Sequence, residues 1–262
     1  MGKLEGLTIV KLGGSLITHK DKSLTPNAKH LKAVSREIAK SKISRTGRLF
    51  LIHGGGSYGH YYANKFGISK VAKKHAARAI SKTAEAMIDL HSVVLEHLND
   101  EGLNCKTFLT SEFLTEDCSG FTRTGLANLE NICRSGLVPL SFGNVFLTRN
   151  GCKIVSGDQI ALALARTVKA SLVVFAMDVD GIYRSPDLKP PIMDLLDQTT
   201  RVASTTRKYD VTGGINAKIG VGLELRDLGA NVFYVNGWKK QRLRRLLSGS
   251  TEIIATKICS NR

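Results

Sequence analysis

The sequence predicts an α/β protein, a three-layer αβα sandwich with a mostly parallel central sheet, on three observations. Short apolar runs alternate with stretches of helical apolar spacing along the whole chain. Polar turns, most of them glycine-bearing, follow the apolar runs or open helices at 11–15, 54–60, 156–158, 178–183 and 212–218. A lone Asn150-Gly151 pair between alternating segments marks one hairpin in a chain otherwise joined by crossovers. In such a sheet, loops at the carboxyl ends of the strands gather on one edge, and ligands bind there.

Taken in order, residues 7–12 form a strand that empties into Gly13-Gly14-Ser15. Thr25-Pro26 reads as a helix cap followed by proline at the first helical position, with Leu31, Val34 and Ile38 supplying the buried stripe. The run 49–52 is wholly apolar and leads through His53 into Gly54-Gly55-Gly56-Ser57-Tyr58-Gly59-His60. A long helical pattern spans 76–98 and stops at Gly102; a strand at 105–109, a helix at 126–134 and a strand at 138–142 follow. Strands at 144–148 and 152–155 make the hairpin, and Ser156-Gly157-Asp158 opens a helix at 159–168. A buried strand at 172–177 ends in Asp178-Val179-Asp180-Gly181-Ile182-Tyr183. Residues 184–209 are polar and prolyl and are expected to cover a site. Asp210 to Gly214 leads into a helix through Leu228, and strands at 231–235 and 252–258 flank a basic helix. The hairpin divides one domain, 1–262, into an N-terminal lobe of about 1–150 and a C-terminal lobe of about 151–262.

Composition narrows the function. The 262 residues carry 38 Lys+Arg against 22 Asp+Glu, a net charge of +16, which suits either nucleic acid or phosphorylated small molecules. The basic clusters at 65–82 and 239–245 lack interleaved aromatics and read as solvated helix faces, so nucleic acid is not the expected partner. Five scattered cysteines without C-x-x-C spacing argue for reduced thiols, and no leader pattern precedes the first strand, so the expected location is cytoplasmic. No apolar run reaches the roughly 18 residues of a membrane span.

Glycines admit left-handed backbone and bring N–H groups close to a ligand, and a strand-to-helix turn favours an anion. The 54–60 loop therefore reads as a phosphate pocket, with His60 as a hydrogen-bond donor. Gly54, Gly56 and Gly59 also satisfy G-x-G-x-x-G, but that motif requires an acidic residue about 20 positions on at a strand end. Glu85 falls instead inside the long helical stretch, so the dinucleotide reading is rejected. The Walker pattern is absent, and phosphate handling must be spread over glycine turns and separate lysines.

Lys11-Leu12-Gly13-Gly14-Ser15, the 53–60 loop, Ser156-Gly157-Asp158, Asp178 to Tyr183 and Asp210 to Lys218 resemble, in order, the successive motifs of the amino-acid kinase family. The histidine closing the glycine loop and Ile17-Thr18-His19-Lys20-Asp21 resemble the isopentenyl phosphate kinases within it. The resemblance implies transfer of the γ-phosphate of ATP to isopentenyl phosphate, with Mg2+ carried by the nucleotide phosphates, and a homodimer. It implies an acceptor-binding N-terminal lobe and a nucleotide-binding C-terminal lobe. Lys11, Gly13, Gly14, Ser15, Gly56, Asp178, Tyr183, Gly214 and Lys218 would hold the nucleotide, and Gly55, His60 and Gly157 the acceptor. Lys20 would stabilise the transition state, with Lys22 close enough to leave the register open. Asp158 would orient the lysines or simply cap its helix, and Asp180 would stabilise its own turn. The remaining six histidines carry no motif context, His91 among them. Ala79, Ile80, Ala84 and Met87 are candidates for an isoprenoid slot, or ordinary core. Asn144 and Met177 depart from the aspartate and threonine usual in that subfamily. Rival readings are a phosphonate kinase, an acetylglutamate, glutamate or aspartate kinase, a uridylate kinase, and a basic nucleic-acid-binding protein.

Overall fold

The computed structural model describes residues 4–66, 73–148, 151–183 and 214–258. The expected cover at 184–209, the Asp210 to Gly213 turn, the Arg149-Asn150 tip of the hairpin and the side chain of His60 lie outside them.

The strands are β1 (Leu7–Leu12), β2 (Leu49–His53), β3 (Cys105–Thr107), β4 (Val138–Phe142), β5 (Asn144–Thr148), β6 (Gly151–Val155), β7 (Ala170–Met177), β8 (Asn231–Asn236) and β9 (Ala255–Ile258). Seven of them form one sheet in the order β3-β4-β2-β1-β7-β8-β9, parallel except for β9 against β8. β5 and β6 make a separate antiparallel hairpin, the one expected around residue 150, with Gly151 already in β6 opposite Thr148. The chain winds outward from β1 on one side through β2 and on the other through β7. The order thus reverses at the centre of the sheet, where a crevice opens at the strand ends.

Side-chain alternation along the central strands builds two cores. Leu7, Ile9, Phe50, Ile52, Val173, Phe175, Val232 and Tyr234 face one layer, formed by α5 (Thr110–Phe113), α6 (Arg123–Arg134), α7 (Gly157–Thr167) and α8 (Gly214–Asp227). Val10, Leu12, Leu49, Leu51, Val174, Ala176, Phe233 and Val235 face the other, formed by α1 (Gly14–Ile17), α2 (Ala28–Ala39), α3 (Gly56–Phe66), α4 (Lys73–Asp100) and α9 (Arg242–Leu246). The parity has a chemical consequence. Lys11 shares the face of Leu7 and Ile9, toward α7 and α8. His53 shares the face of Leu49 and Leu51, toward α4.

Several local readings are corrected, among them the strand expected at 252–258, which begins only at Ala255, and the helix expected at 126–134, which begins at Arg123. Asn27, not Thr25, caps α2: its Oδ1 accepts from the His30 N–H at 3.3 Å. Thr25 and Pro26 lie outside the helix, where Pro26 bridges Thr18 and the Thr25 carbonyl accepts from His19 N–H. An amide oxygen one residue from the helix competes better than a hydroxyl three residues away. The strand expected at 105–109 ends at Thr107, because Thr110 already opens α5. Glu85 sits on α4, as the rejection of a dinucleotide turn requires.

Two glycines make the stability of this frame testable. A Cβ on Gly14 would fall 2.1 Å from the Gly56 nitrogen, whereas one on Gly220 in α8 meets nothing within 4 Å. Gly14→Ala is expected to destabilise the protein by about 3 kcal/mol, and Gly220→Ala to stabilise it by about 0.5–1 kcal/mol. Urea denaturation of the two variants checks both signs.

Candidate active site

The turns that follow β1, β2 and β7 start at one level. Gly13 N–H donates to the Ala176 carbonyl at 2.8 Å and Gly54 N–H to the Leu12 carbonyl at 2.9 Å. Gly14 then meets Gly56 backbone to backbone. Thr18 stitches the same two turns, donating to the Gly14 carbonyl at 2.9 Å and accepting from Ser57 N–H at 3.0 Å. Sequence reasoning gave Thr18 no role; a hydroxyl four residues past a glycine turn offers no signal until its partner across the fold is known.

Lys11, Asp158 and Lys218 are brought together from β1, α7 and α8. Lys11 Nζ lies 2.8 Å from one Asp158 carboxylate oxygen and Lys218 Nζ 2.5 Å from the other. Lys11 is buried, and its stem is hemmed in by glycines. A Cβ on Gly157 would sit 3.1 Å from Lys11 Cε, and one on Gly54 3.6 Å from it. Gly157 is thus needed for close approach, whatever its N–H binds. Asp158 is not the helix cap. Ser156 caps α7, accepting from Gln159 N–H at 3.2 Å, while Gln159 Oε1 accepts from Ser156 N–H at 2.9 Å. The carboxylate is therefore left for the lysines. Lys218 is fixed from behind by Tyr234, whose hydroxyl donates to the Lys218 carbonyl at 2.7 Å.

Burial works to raise the Asp158 carboxyl, but the charges of Lys11 and Lys218 outweigh it and hold the group well below the usual carboxylate range. Burial pushes the Lys11 amine down, partly offset by Asp158 and reinforced by Lys218. One carboxylate balances two amines, and the cluster keeps a net positive charge. Each ammonium has three protons, so both can still donate outward to an anion.

The turn after β7 closes the other wall. Asp178 accepts from Ser15 Oγ at 2.9 Å and pairs with Lys20; Lys22 is exposed, with no acidic partner among the described residues. Asp180 is tied across the sheet, accepting from Asn236 Nδ2 at 2.9 Å and Arg242 at 2.6 Å. Its reading as a purely local turn residue is therefore replaced, and Arg242 is not a solvated member of the basic cluster. Ile182 N–H donates to Thr256 at 2.8 Å, while Tyr183 is half-buried beyond it. Gly214, in the left-handed region at φ +67, opens α8.

On the opposite face of the sheet, under the glycine loop, His53 and His91 form a buried pair. His53 Nδ1 lies 3.2 Å from the Gly54 carbonyl, His53 Nε2 lies 3.1 Å from His91 Nδ1, and His91 Nε2 lies 2.8 Å from Thr107 Oγ1. The His53 ring stacks on Phe142, and the His91 ring lies tilted against the same ring, 4.4 Å away between centroids. Burial and the neighbouring imidazole lower His53 to about 3, and burial lowers His91 to about 4. His91 therefore has a structural partner beside the loop and is not a neutral bystander.

Ala79 is buried against Val145, Cys152 and Ile154 of the hairpin. Met87 lies beneath the loop, its Sδ 2.9 Å from where a Gly55 Cβ would stand. Ile80 and Ala84 are half-buried. Asn144 turns its Oδ1 onto the Val145 N–H at 2.8 Å, and Met177 is buried. His60 is the fifth residue of α3, one turn past Gly56.

A doubly wound sheet with paired lysines on one aspartate, framed by glycine turns and lacking a P-loop, defines a phosphate-transfer protein. The model of the amino acid kinase family matches residues 6–232, and the chain belongs to that family. It is similar to the isopentenyl phosphate kinase of Methanocaldococcus jannaschii, at 27% identity over 94% of this chain and 96% of that protein. The corresponding enzyme of Haloferax volcanii is 32% identical over 81% and 86%. A crystal structure of T. acidophilum isopentenyl phosphate kinase in a product complex superposes with a TM-score of 0.77 at 25% identity, covering 96% of this chain and 99% of that one.

The buried histidines set an acid limit. Their folded pKa values lie below the unfolded value of about 6.5, so the unfolded state binds more protons and stability falls as pH drops below that value. Each contributes up to about 1.4 kcal/mol per pH unit, until His91 and then His53 protonates in the fold. Asp158, with a depressed pKa, adds a further loss only below about pH 4. Urea midpoints taken from pH 7.5 to 4.5 are expected to fall steadily, and to fall less steeply in His91→Phe.

Proposed function

We propose that this chain phosphorylates isopentenyl phosphate at the expense of ATP, giving isopentenyl diphosphate and ADP. The observation that carries the reading is the Lys11–Asp158–Lys218 cluster set beside amide-bearing glycine turns at the sheet's crevice. The names of the relatives support the acceptor. ATP, when bound, supplies the γ-phosphoryl group. Its phosphates would be held by Lys11, Lys218 and the turns carrying Gly13, Gly14, Ser15 and Gly214, with Gly56 at the transferring group. Asp178 and Tyr183 would complete the nucleotide side.

Two phosphorylated molecules repel, and the chain's task is to cancel that repulsion and align them. A phosphate monoester has a second pKa of about 6 and is mostly dianionic at neutral pH, so its oxygen attacks without a general base. The amides of Gly55 and Gly157, with His60, would hold the acceptor phosphate in the N-terminal lobe (about 1–150). The C-terminal lobe (about 151–262) would carry most of the nucleotide. Lys20 would leave Asp178 for the transferring phosphoryl group; its pairing at the crevice favours it over Lys22. Mg2+ would arrive on phosphate oxygens and water. The homodimer and the cytoplasmic location belong to the same reading, and the unpaired thiols of Cys105, Cys118, Cys133 and Cys152 fit a reducing compartment.

Steady-state assays with ATP against isopentenyl phosphate, dimethylallyl phosphate, fosfomycin, UMP and acetylglutamate are expected to rank the two isoprenoid phosphates first in kcat/KM. A preference for an amino acid ends the substrate reading. Lys218→Ala and Lys20→Ala are expected to lower kcat at least about 100-fold, the scale of one lost charge-stabilising donor, with Lys22→Ala within threefold of the parent. His60→Ala is expected to lose acceptor affinity while nucleotide binding survives, with His97→Ala as the control.

A further inference from the structure

The hydrogen-bond chain under the glycine loop has one consistent set of protons. The Gly54 carbonyl can only accept, so His53 Nδ1 carries the hydrogen and its Nε2, in the neutral ring, must accept. His91 Nδ1 must then donate, and His91 Nε2 accepts from the Thr107 hydroxyl. Three elements, β2, α4 and β3, are committed to one outcome: holding the Gly54 carbonyl against the His53 ring.

That carbonyl belongs to the Gly54–Gly55 peptide, which is planar and trans. Its C=O and the N–H of Gly55 therefore point in opposite directions. Pulling the carbonyl toward the His53 face turns the Gly55 N–H the other way, toward the open side of the loop. The next peptide is fixed similarly, since the Gly55 carbonyl accepts from Tyr58 N–H at 3.0 Å and Gly59 N–H at 3.1 Å. The N–H groups of Gly55 and Gly56 have no protein acceptor among the described residues. A glycine peptide has little intrinsic preference between its two orientations, so an external hold is required to select one.

We propose that His53, oriented by His91 and Thr107, is a positioning residue for anion binding: by holding the Gly54 carbonyl it presents the Gly55 amide to the acceptor's phosphate. The proposal rests on the acceptor-phosphate reading of this loop and adds the part of the chain that sets the loop's polarity.

The test compares His53→Phe with His53→Asn in the full chain. Phenylalanine keeps a ring to stack on Phe142, 5.3 Å away between centroids, but removes both nitrogens. Asparagine places an amide N–H close to where Nδ1 stands. His53→Phe is expected to raise the KM for isopentenyl phosphate at least tenfold while the KM for ATP stays within twofold, and His53→Asn to return acceptor KM to within threefold of the parent. An acceptor KM within twofold of the parent in His53→Phe overturns the proposal. So does an equal rise for both substrates, or a failure of asparagine to restore what phenylalanine loses.

The outer members guard against misfolding of the first variant: Thr107→Val and His91→Phe are expected to raise acceptor KM about threefold, and no change in either counts against the relay. A second readout needs no turnover. In 15N-glycine-labelled protein, inorganic phosphate is expected to shift the Gly55 amide resonance in the parent and to leave it unmoved in His53→Phe. If the parent turns over no isoprenoid phosphate, the substrate reading fails; the phosphate titration still decides the positioning role. An identical Gly55 shift in parent and variant refutes it.

Discussion

Everything at the crevice depends on one carboxylate shared by two amines. Lys11 and Lys218 come from strands and helices far apart in the chain, and bringing two cations together off bulk water is unfavourable. Asp158 makes it possible, at 2.8 Å and 2.5 Å. Removing one member of such a set strands the others, so the cluster ties β1, α7 and α8 to one another. Under the proposed function, two amines held on one carboxylate would attract a phosphate with little left to reorganise.

The parallel sheet distributes these tasks between its faces. Lys11 and Leu12 are consecutive, as are Ile52 and His53, yet the two members of each pair look into different layers. The lysine face gathers α7 and α8 with their aspartate and second lysine. The histidine face gathers α4 and the underside of the glycine loop. The lysine cluster and the histidine pair therefore lie on opposite sides of the same strands, and glycines at 14, 54, 56 and 157 let the turns approach without side chains in between.

Much of this was legible before folding. Apolar alternation located the sheet strands to within a few residues, and Asn150-Gly151 marked the hairpin. The glycine turns were found because few other residues tolerate close backbone approach. The cap of α2 was misplaced because Thr25, Pro26 and Asn27 all carry local signals, and only the bond from His30 N–H to Asn27 Oδ1 decides among them. His91 and Thr107 were invisible for a different reason: one sits on a helix of 28 residues and the other ends a short strand. Nothing in spacing relates them to His53.

The sequence alone determined which segments are strands and helices, where the glycine turns fall, and that no single Walker loop is present. These properties follow from periodicity and from the stereochemistry of single residues, which act over a few positions. Only the tertiary structure decided that Asp158 pairs with two lysines rather than capping its own helix, that Arg242 braces Asp180, and that a histidine pair lies against a glycine carbonyl. Those are contacts between residues tens to hundreds of positions apart. Their energies depend on burial and distance, quantities that exist only once the sheet has assembled.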